Sequence, residues 1–164
     1  MAFGTVRPGW TIPERVGRMS ETIVVGTDGS ETATQAVKEA MRLAKALDGE
    51  LHVVTAYKRL RDAKIKGAPE GAVKVWAPLP DDLARGIVEE AGAMVRIAGL
   101  KGDAHMVEKD PADALLEVAD QVGADLIVVG SQGMAGAKRL LGSVPNKISH
   151  GARCNVLIVA TRKS

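Results

Sequence analysis

The sequence predicts a single α/β domain built on a five-stranded parallel sheet with helices on both faces. Three observations predict it. Short runs of Val, Ile and Leu, several of them ending at glycine, alternate along the chain with stretches whose apolar residues recur every three or four positions. Strict alternation of these two patterns calls for crossover connections and hence parallel pairing. Hydrophobic residues make up 46% of the 164, but aromatics only 2%. The core must therefore be aliphatic, as strands covered on both faces require.

Residues 1–20 carry Gly4, Pro8, Gly9 and Pro13 among scattered arginines and show no periodicity. They are expected to form a flexible N-terminal extension, leaving residues 21–162 as the domain. Thr22 to Gly26 is a short apolar run stopped by glycine, the first strand. Ser30 then offers an N-cap oxygen, and Ala33, Ala36, Val37, Ala40, Met41, Ala44 and Leu47 mark one face of a helix that Asp48-Gly49 closes. Leu51 to Tyr57 reads as the second strand.

Residues 58–80 interrupt the alternation with five basic residues, Lys58, Arg59, Arg61, Lys64 and Lys66, followed by Gly67, Pro69, Gly71, Pro78 and Pro80. A connection this long in a compact domain is a surface excursion or a partner site. A helix over about 81–98 follows, with Leu83, Ile87, Ala91, Met94 and Ala98 on its inner face and Gly99 as its stop. A short strand fits around 103–107. Asp110-Pro111 places a capping side chain and a first-turn proline at the next helix, whose inner face is Leu115, Val118, Ala119 and Val122 and whose end is Gly123. Asp125 to Gly130 is the clearest buried strand. After a glycine-rich loop, Ser143 opens the last helix and Asn155 to Ala160 gives the fifth strand.

Composition narrows the function classes. The formal net charge is +2, too small for an electrostatic footprint on nucleic acid although the pI is 8.8. No apolar run is long enough to span a bilayer, and no charged leader precedes one, so neither a membrane role nor secretion is expected. The single cysteine, Cys154, cannot form an internal disulfide or a cysteine-based zinc cluster. A buried, inert thiol and a cytoplasmic location are the expectations.

In parallel sheets, ligands bind outside the carboxyl ends of the strands. That directs attention to the loops after Val25, Ala56 and Val129. The last reads Gly130-Ser131-Gln132-Gly133, then eight residues, then Gly142-Ser143 opening a helix. Glycines at the mouth of a buried strand let backbone N–H groups approach an anion. A serine at a helix N-terminus adds a hydroxyl, unpaired N–H groups and the positive end of the dipole. Together they can cradle a di- or triphosphate. The first loop adds Thr27-Asp28-Gly29-Ser30, where Asp28 can accept from a ribose hydroxyl or stand beside a metal–phosphate, and Ser30 caps the helix.

Competing motifs are missing. There is no P-loop, the first strand does not run into G-x-G-x-x-G, and no nucleophile elbow is present. His52, His105 and His150 are scattered, with no pair at metal-ligand spacing, so no metal site and no catalytic residue is assigned. His52 and His105 fall in or beside strands; His150 falls late in the last helix, on its exposed side.

At this point two segments show a resemblance. Val24-Val25-Gly26-Thr27-Asp28-Gly29-Ser30 resembles the opening of universal stress proteins. Gly130-Ser131-Gln132-Gly133 with Gly142-Ser143-Val144-Pro145 resembles the ATP-binding signature of that family, G-x2-G-x9-G-[ST], with a spacer one residue shorter. The resemblance runs from about Glu21 to Arg162. It implies a Rossmann-like fold of the adenine nucleotide alpha hydrolase type and a homodimer joined through the last strands. It also implies an adenine-nucleotide site in which Thr27 and Asp28 meet ribose or phosphates and the Ala56 backbone meets adenine. Val129 would line the base or ribose wall, and Gly130, Gly133, Gly142, Ser143 and Val144 would hold the phosphates. The implied role is ATP binding in stress response, with Mg2+ accompanying ATP and at most slow hydrolysis. AMP or cyclic AMP as ligand, an adenylyl-transferring enzyme, and a dimeric interaction module without nucleotide stand as alternatives.

Overall fold

The computed structural model describes residues 21–58, 80–131 and 143–161. Its elements follow the expected alternation: β1 (Thr22–Gly26), α1 (Glu31–Ala46), β2 (Glu50–Ala56), α2 (Asp81–Ile97), β3 (Ala104–Val107), α3 (Pro111–Val122), β4 (Leu126–Gly130), α4 (Ser143–Gly151) and β5 (Asn155–Val159). The five strands are parallel and lie in the order β3-β2-β1-β4-β5. The chain thus winds outward from β1 in one direction through β2 and β3, and in the other through β4 and β5. The order reverses between β1 and β4.

Side-chain alternation along each strand divides the interior into two aliphatic layers. Ile23, Val25, Leu51, Val53 and Val128 face one side, under Ala36, Val37, Ala40 and Ala44 of α1 and Ala91 and Val95 of α2. Val24, Val54, Ile127 and Val129 face the other, under Leu115, Val118 and Ala119 of α3 and Ile148 of α4. Helices cover both faces, so the strands need no polar side, which is why they read as continuous apolar runs.

The ends are fixed by local chemistry. Ser30 caps α1 by accepting a bond from the Ala33 N–H at 3.2 Å. Gly123 closes α3 in the left-handed conformation at φ 63°. At the N-terminal rim, buried Asp125 accepts from the Thr22 N–H at 2.9 Å through Oδ2, while its own N–H bonds the Thr22 carbonyl at 2.8 Å. That reciprocal pair ties β1 to β4 below the point where the strand order reverses.

Several sequence expectations are corrected. The inner face of α2 is shifted: Ala91 is buried as expected, but so are Ala84, Gly92 and Val95, while Leu83 is 53% exposed and Ala98 only half-buried. The helix lies close to β3, with a Cβ on Gly92 standing 3.3 Å from the Ala104 Cβ, so the small residues take the contact rather than the large ones. Leu47, expected on the inner face of α1, is its exposed C-cap. Asp110 occupies the N-cap of α3 but makes no side-chain bond to that helix; its carboxylate is held by Lys58. Cys154 is half-buried rather than buried. The extension 1–20, the basic connection except Lys58 and Pro80, and the loop 132–142 lie outside the described residues.

Candidate functional site

A doubly wound sheet opens a crevice where neighbouring crossovers leave on opposite faces, at the carboxyl ends of the two strands flanking the reversal. Here those strands are β1 and β4, with Val25 opposite Val128 in the ladder. From β1 the chain turns to α1 on one face; after β4 it reaches α4 on the other. The crevice is therefore bordered by the turn Thr27–Ser30, by Gly130 and Ser131, and by the N-terminal turn of α4.

The first border is a self-satisfied turn. Thr27 Oγ1 accepts from the Gly29 N–H at 3.2 Å and Asp28 Oδ1 from the Ser30 N–H at 3.0 Å. The Thr27 N–H is spent on the Val54 carbonyl at 2.9 Å, which anchors the turn to β2. Two glycines make the turn tight. Gly29 adopts φ +75°, and a Cβ there would meet Ile87 of α2 at 2.9 Å; a Cβ on Gly26 would stand 2.8 Å from Leu115 Cδ1 of α3. Helices from both faces thus close on the carboxyl end of β1. Asp28 is half-buried, with one carboxylate oxygen bound within its own turn.

The second border is pinned from the far edge. The Ser131 N–H donates to the Val159 carbonyl at 2.8 Å, and Ser131 Oγ accepts from the N–H of buried Thr161 at 3.1 Å. The chain is therefore held to β5 through Gly130 and Ser131. Ser143 is exposed at the start of α4, with Val144 half-buried against the α3–α4 core and Pro145 buried. α4 thereby directs its N-terminal amides and positive dipole end to this end of the sheet.

The sequence-assigned residues Thr27, Asp28, Gly130, Ser143 and Val144 thus border one end of the sheet. Ala56 ends β2 at the same level as Val107 of β3 and is half-buried. Val129 is 3% exposed, and its side chain belongs to the core beneath the crevice. Gly133 and Gly142 lie outside the described residues. The pairing of Ser131 with Thr161 was missed: only the β4–β5 register brings positions thirty apart together. Also missed was the pairing of two scattered histidines, with His52 Nδ1 3.0 Å from His105 Nε2 across β2 and β3. They stay a pair: among the described residues no group of three or more His, Cys, Asp or Glu could hold a metal.

Charged groups surround the first turn of α3. Lys58 lies 2.8 Å from Asp110, Lys147 lies 2.7 Å from Asp113, and Lys109 pairs with Glu117. The Lys58 ammonium holds the Asp110 carboxyl below its ordinary value, with Lys147 adding to the effect.

Comparison with known proteins follows the same lines. The profile of the universal stress protein family matches residues 19–160. The chain belongs to the universal stress protein family. A universal stress protein of Mycobacterium tuberculosis is 38% identical over 147 residues, covering 86% of this chain and 97% of its own length. One from Methanocaldococcus jannaschii is 33% identical over 143 residues, covering 86% and 82%. A solved universal stress protein in complex with cAMP is 35% identical, with a TM-score of 0.63 over 87% of this chain and 98% of that one. The Rossmann-like α/β fold expected from the resemblance is the fold of these relatives. No described helix is long and apolar enough to cross a membrane.

Proposed function

We propose that this universal stress protein binds an adenine nucleotide in the crevice between β1 and β4, with ATP as the principal ligand and Mg2+ accompanying it, in the cytoplasm. One observation supports the reading: the Asp28 turn, Gly130 and the N-terminus of α4 all stand at the carboxyl end of the sheet, whose strand order reverses between β1 and β4. Asp28 then takes the ribose hydroxyls with the carboxylate oxygen not spent on Ser30. The Ala56 main chain meets the base. The N–H groups at Gly130, Ser143 and Val144 take phosphate oxygens. Gly133 and Gly142 extend that cradle on the strength of the sequence signature alone.

Binding rather than turnover is the expected output. A general base must reach the attacking water. Asp28, the acid at the mouth, has an oxygen committed to its own turn. Hydrolysis is at most slow, and the nucleotide state is read by partners in the stress response.

Cyclic AMP is the second reading, favoured by one observation: a solved relative 35% identical holds it. The family's dimer fits as well. β5 is an edge strand whose Val156, Leu157, Ile158 and Val159 are only half-buried, and pairing two such edges would cover them.

Purifying the chain without added nucleotide, denaturing it and analysing the released small molecules by mass spectrometry tests the proposal. ATP, ADP or AMP in stoichiometric yield supports it, and cyclic AMP in their place supports the second reading. A chain that releases none of these and leaves ATP and cyclic AMP unbound in solution excludes both.

A further inference from the structure

Two lysines on the α3–α4 side are held by carboxylates of one helical turn. Lys58 Nζ lies 2.8 Å from Asp110 Oδ1, and Lys147 Nζ lies 2.7 Å from Asp113 Oδ2. Asp110 feels both lysines, so the four groups form one cluster.

Three facts put this cluster at the carboxyl end of the sheet, the end where the nucleotide crevice opens. α3 reaches β1 at its carboxyl end, where a Cβ on Gly26 would touch Leu115. Lys147 sits one turn into α4, and helical side chains lean toward their own N-terminus, here toward Ser143. Lys58 leaves β2 two residues after Ala56, the strand end assigned to the base.

Asp110 adds a second feature. Its backbone is extended, φ −63° and ψ 145°, as an N-cap requires, yet its side chain makes no cap bond. Ser30, in the same position on α1, does. Asp110 therefore has two alternative partners, the Lys58 ammonium it holds and the amides of its own helix.

We propose that Lys58 and Lys147 select polyphosphate nucleotides: held on Asp110 and Asp113 in this structure, they transfer to the β-phosphate of ADP or to the β- and γ-phosphates of ATP, and Asp110 then caps α3. This inference rests on the adenine-nucleotide reading above. The exchange is favourable on simple grounds. All four side chains are 43% to 61% exposed, so their mutual ion pairs contribute little. An ammonium on a multiply charged phosphate makes a stronger, charge-assisted bond. The carboxylate that Lys58 leaves is not stranded, because the first-turn N–H groups of α3 can donate to it. AMP and cyclic AMP have no phosphate beyond the α position for either lysine to reach.

Calorimetric titration of the full chain, the double variant K58Q/K147Q and the single variant Asp113→Asn with ATP, ADP, AMP and cyclic AMP tests this. The double variant should lose about tenfold in ATP affinity, about 1.4 kcal/mol, while AMP and cyclic AMP change by less than about twofold. Its unfolding midpoint should not fall, since Asp110 is freed to cap α3. Asp113→Asn should bind ATP about two- to threefold more tightly, because it releases Lys147 and removes a repelling carboxylate, and misfolding cannot mimic that gain. An unchanged ATP-to-AMP affinity ratio in the double variant overturns the proposal, as does equal loss of all four ligands. A native chain that binds none of the four removes the underlying site reading, a distinct result from an altered ratio.

Discussion

Replacing Gly29 by alanine tests the turn that presents Asp28. At φ +75° an alanine is strained by about 1–2 kcal/mol. Its Cβ would also lie 2.9 Å from both Cδ1 and Cγ1 of Ile87. Ile87 must leave its rotamer minimum, at about 0.5–1.5 kcal/mol. The sum is a destabilisation of about 1.5–3.5 kcal/mol, or a melting temperature lower by about 5–12 °C for a domain of this size. Gly86→Ala is the internal control. It lies on the same helix as Ile87, and a Cβ there meets nothing within 4 Å. That variant should gain about 0.5–1 kcal/mol from helix propensity. Urea unfolding followed by far-UV circular dichroism, without nucleotide, measures both. A Gly29→Ala protein as stable as its parent would refute the reasoning about the turn.

Asp125→Ala leaves the buried Thr22 N–H without its carboxylate, and urea unfolding should show a loss of at least about 1–3 kcal/mol. Burial and the neighbouring His52 lower the His105 pKa from 6.5, with Asp103 opposing. The unfolded chain then binds the proton more readily, so this contribution is complete above pH 6.5 and is lost as pH falls below it. The urea midpoint should drop between about pH 8 and about pH 5, and His105→Asn should flatten that slope; parallel slopes would contradict the pairing.

The fold was legible because strands covered on both faces leave an unmistakable trace. Val24-Val25 and Ile127-Val128-Val129 have no polar side to confuse them with amphipathic helix. Periodicity was less informative for α2, where Leu83, Ile87, Ala91 and Met94 define one stripe and Ala84, Gly92 and Val95 extend the buried face beyond it. Which of these residues faced the sheet depended on how closely the helix approaches Ala104, a tertiary fact. The site was legible where chemistry is local: Asp28 and Ser30 act within their own turn, as their spacing suggests. It was not legible where register decides, as for Ser131 with Thr161 and His52 with His105. Asp110 shows a third kind of failure. Its sequence context is that of a helix cap, but Lys58 competes for the same carboxylate, and the competitor prevails.

The central claim is that the crevice at the strand-order reversal holds an adenine nucleotide. Isothermal titration of the nucleotide-free chain with ATP in the presence of Mg2+ tests it most directly, with Asp28→Ala alongside. Saturable binding of one nucleotide per chain, weakened about tenfold or more in Asp28→Ala through loss of a charge-assisted bond to the ribose, is the predicted result. Heats that never saturate, or binding that Asp28→Ala leaves untouched, would contradict the account.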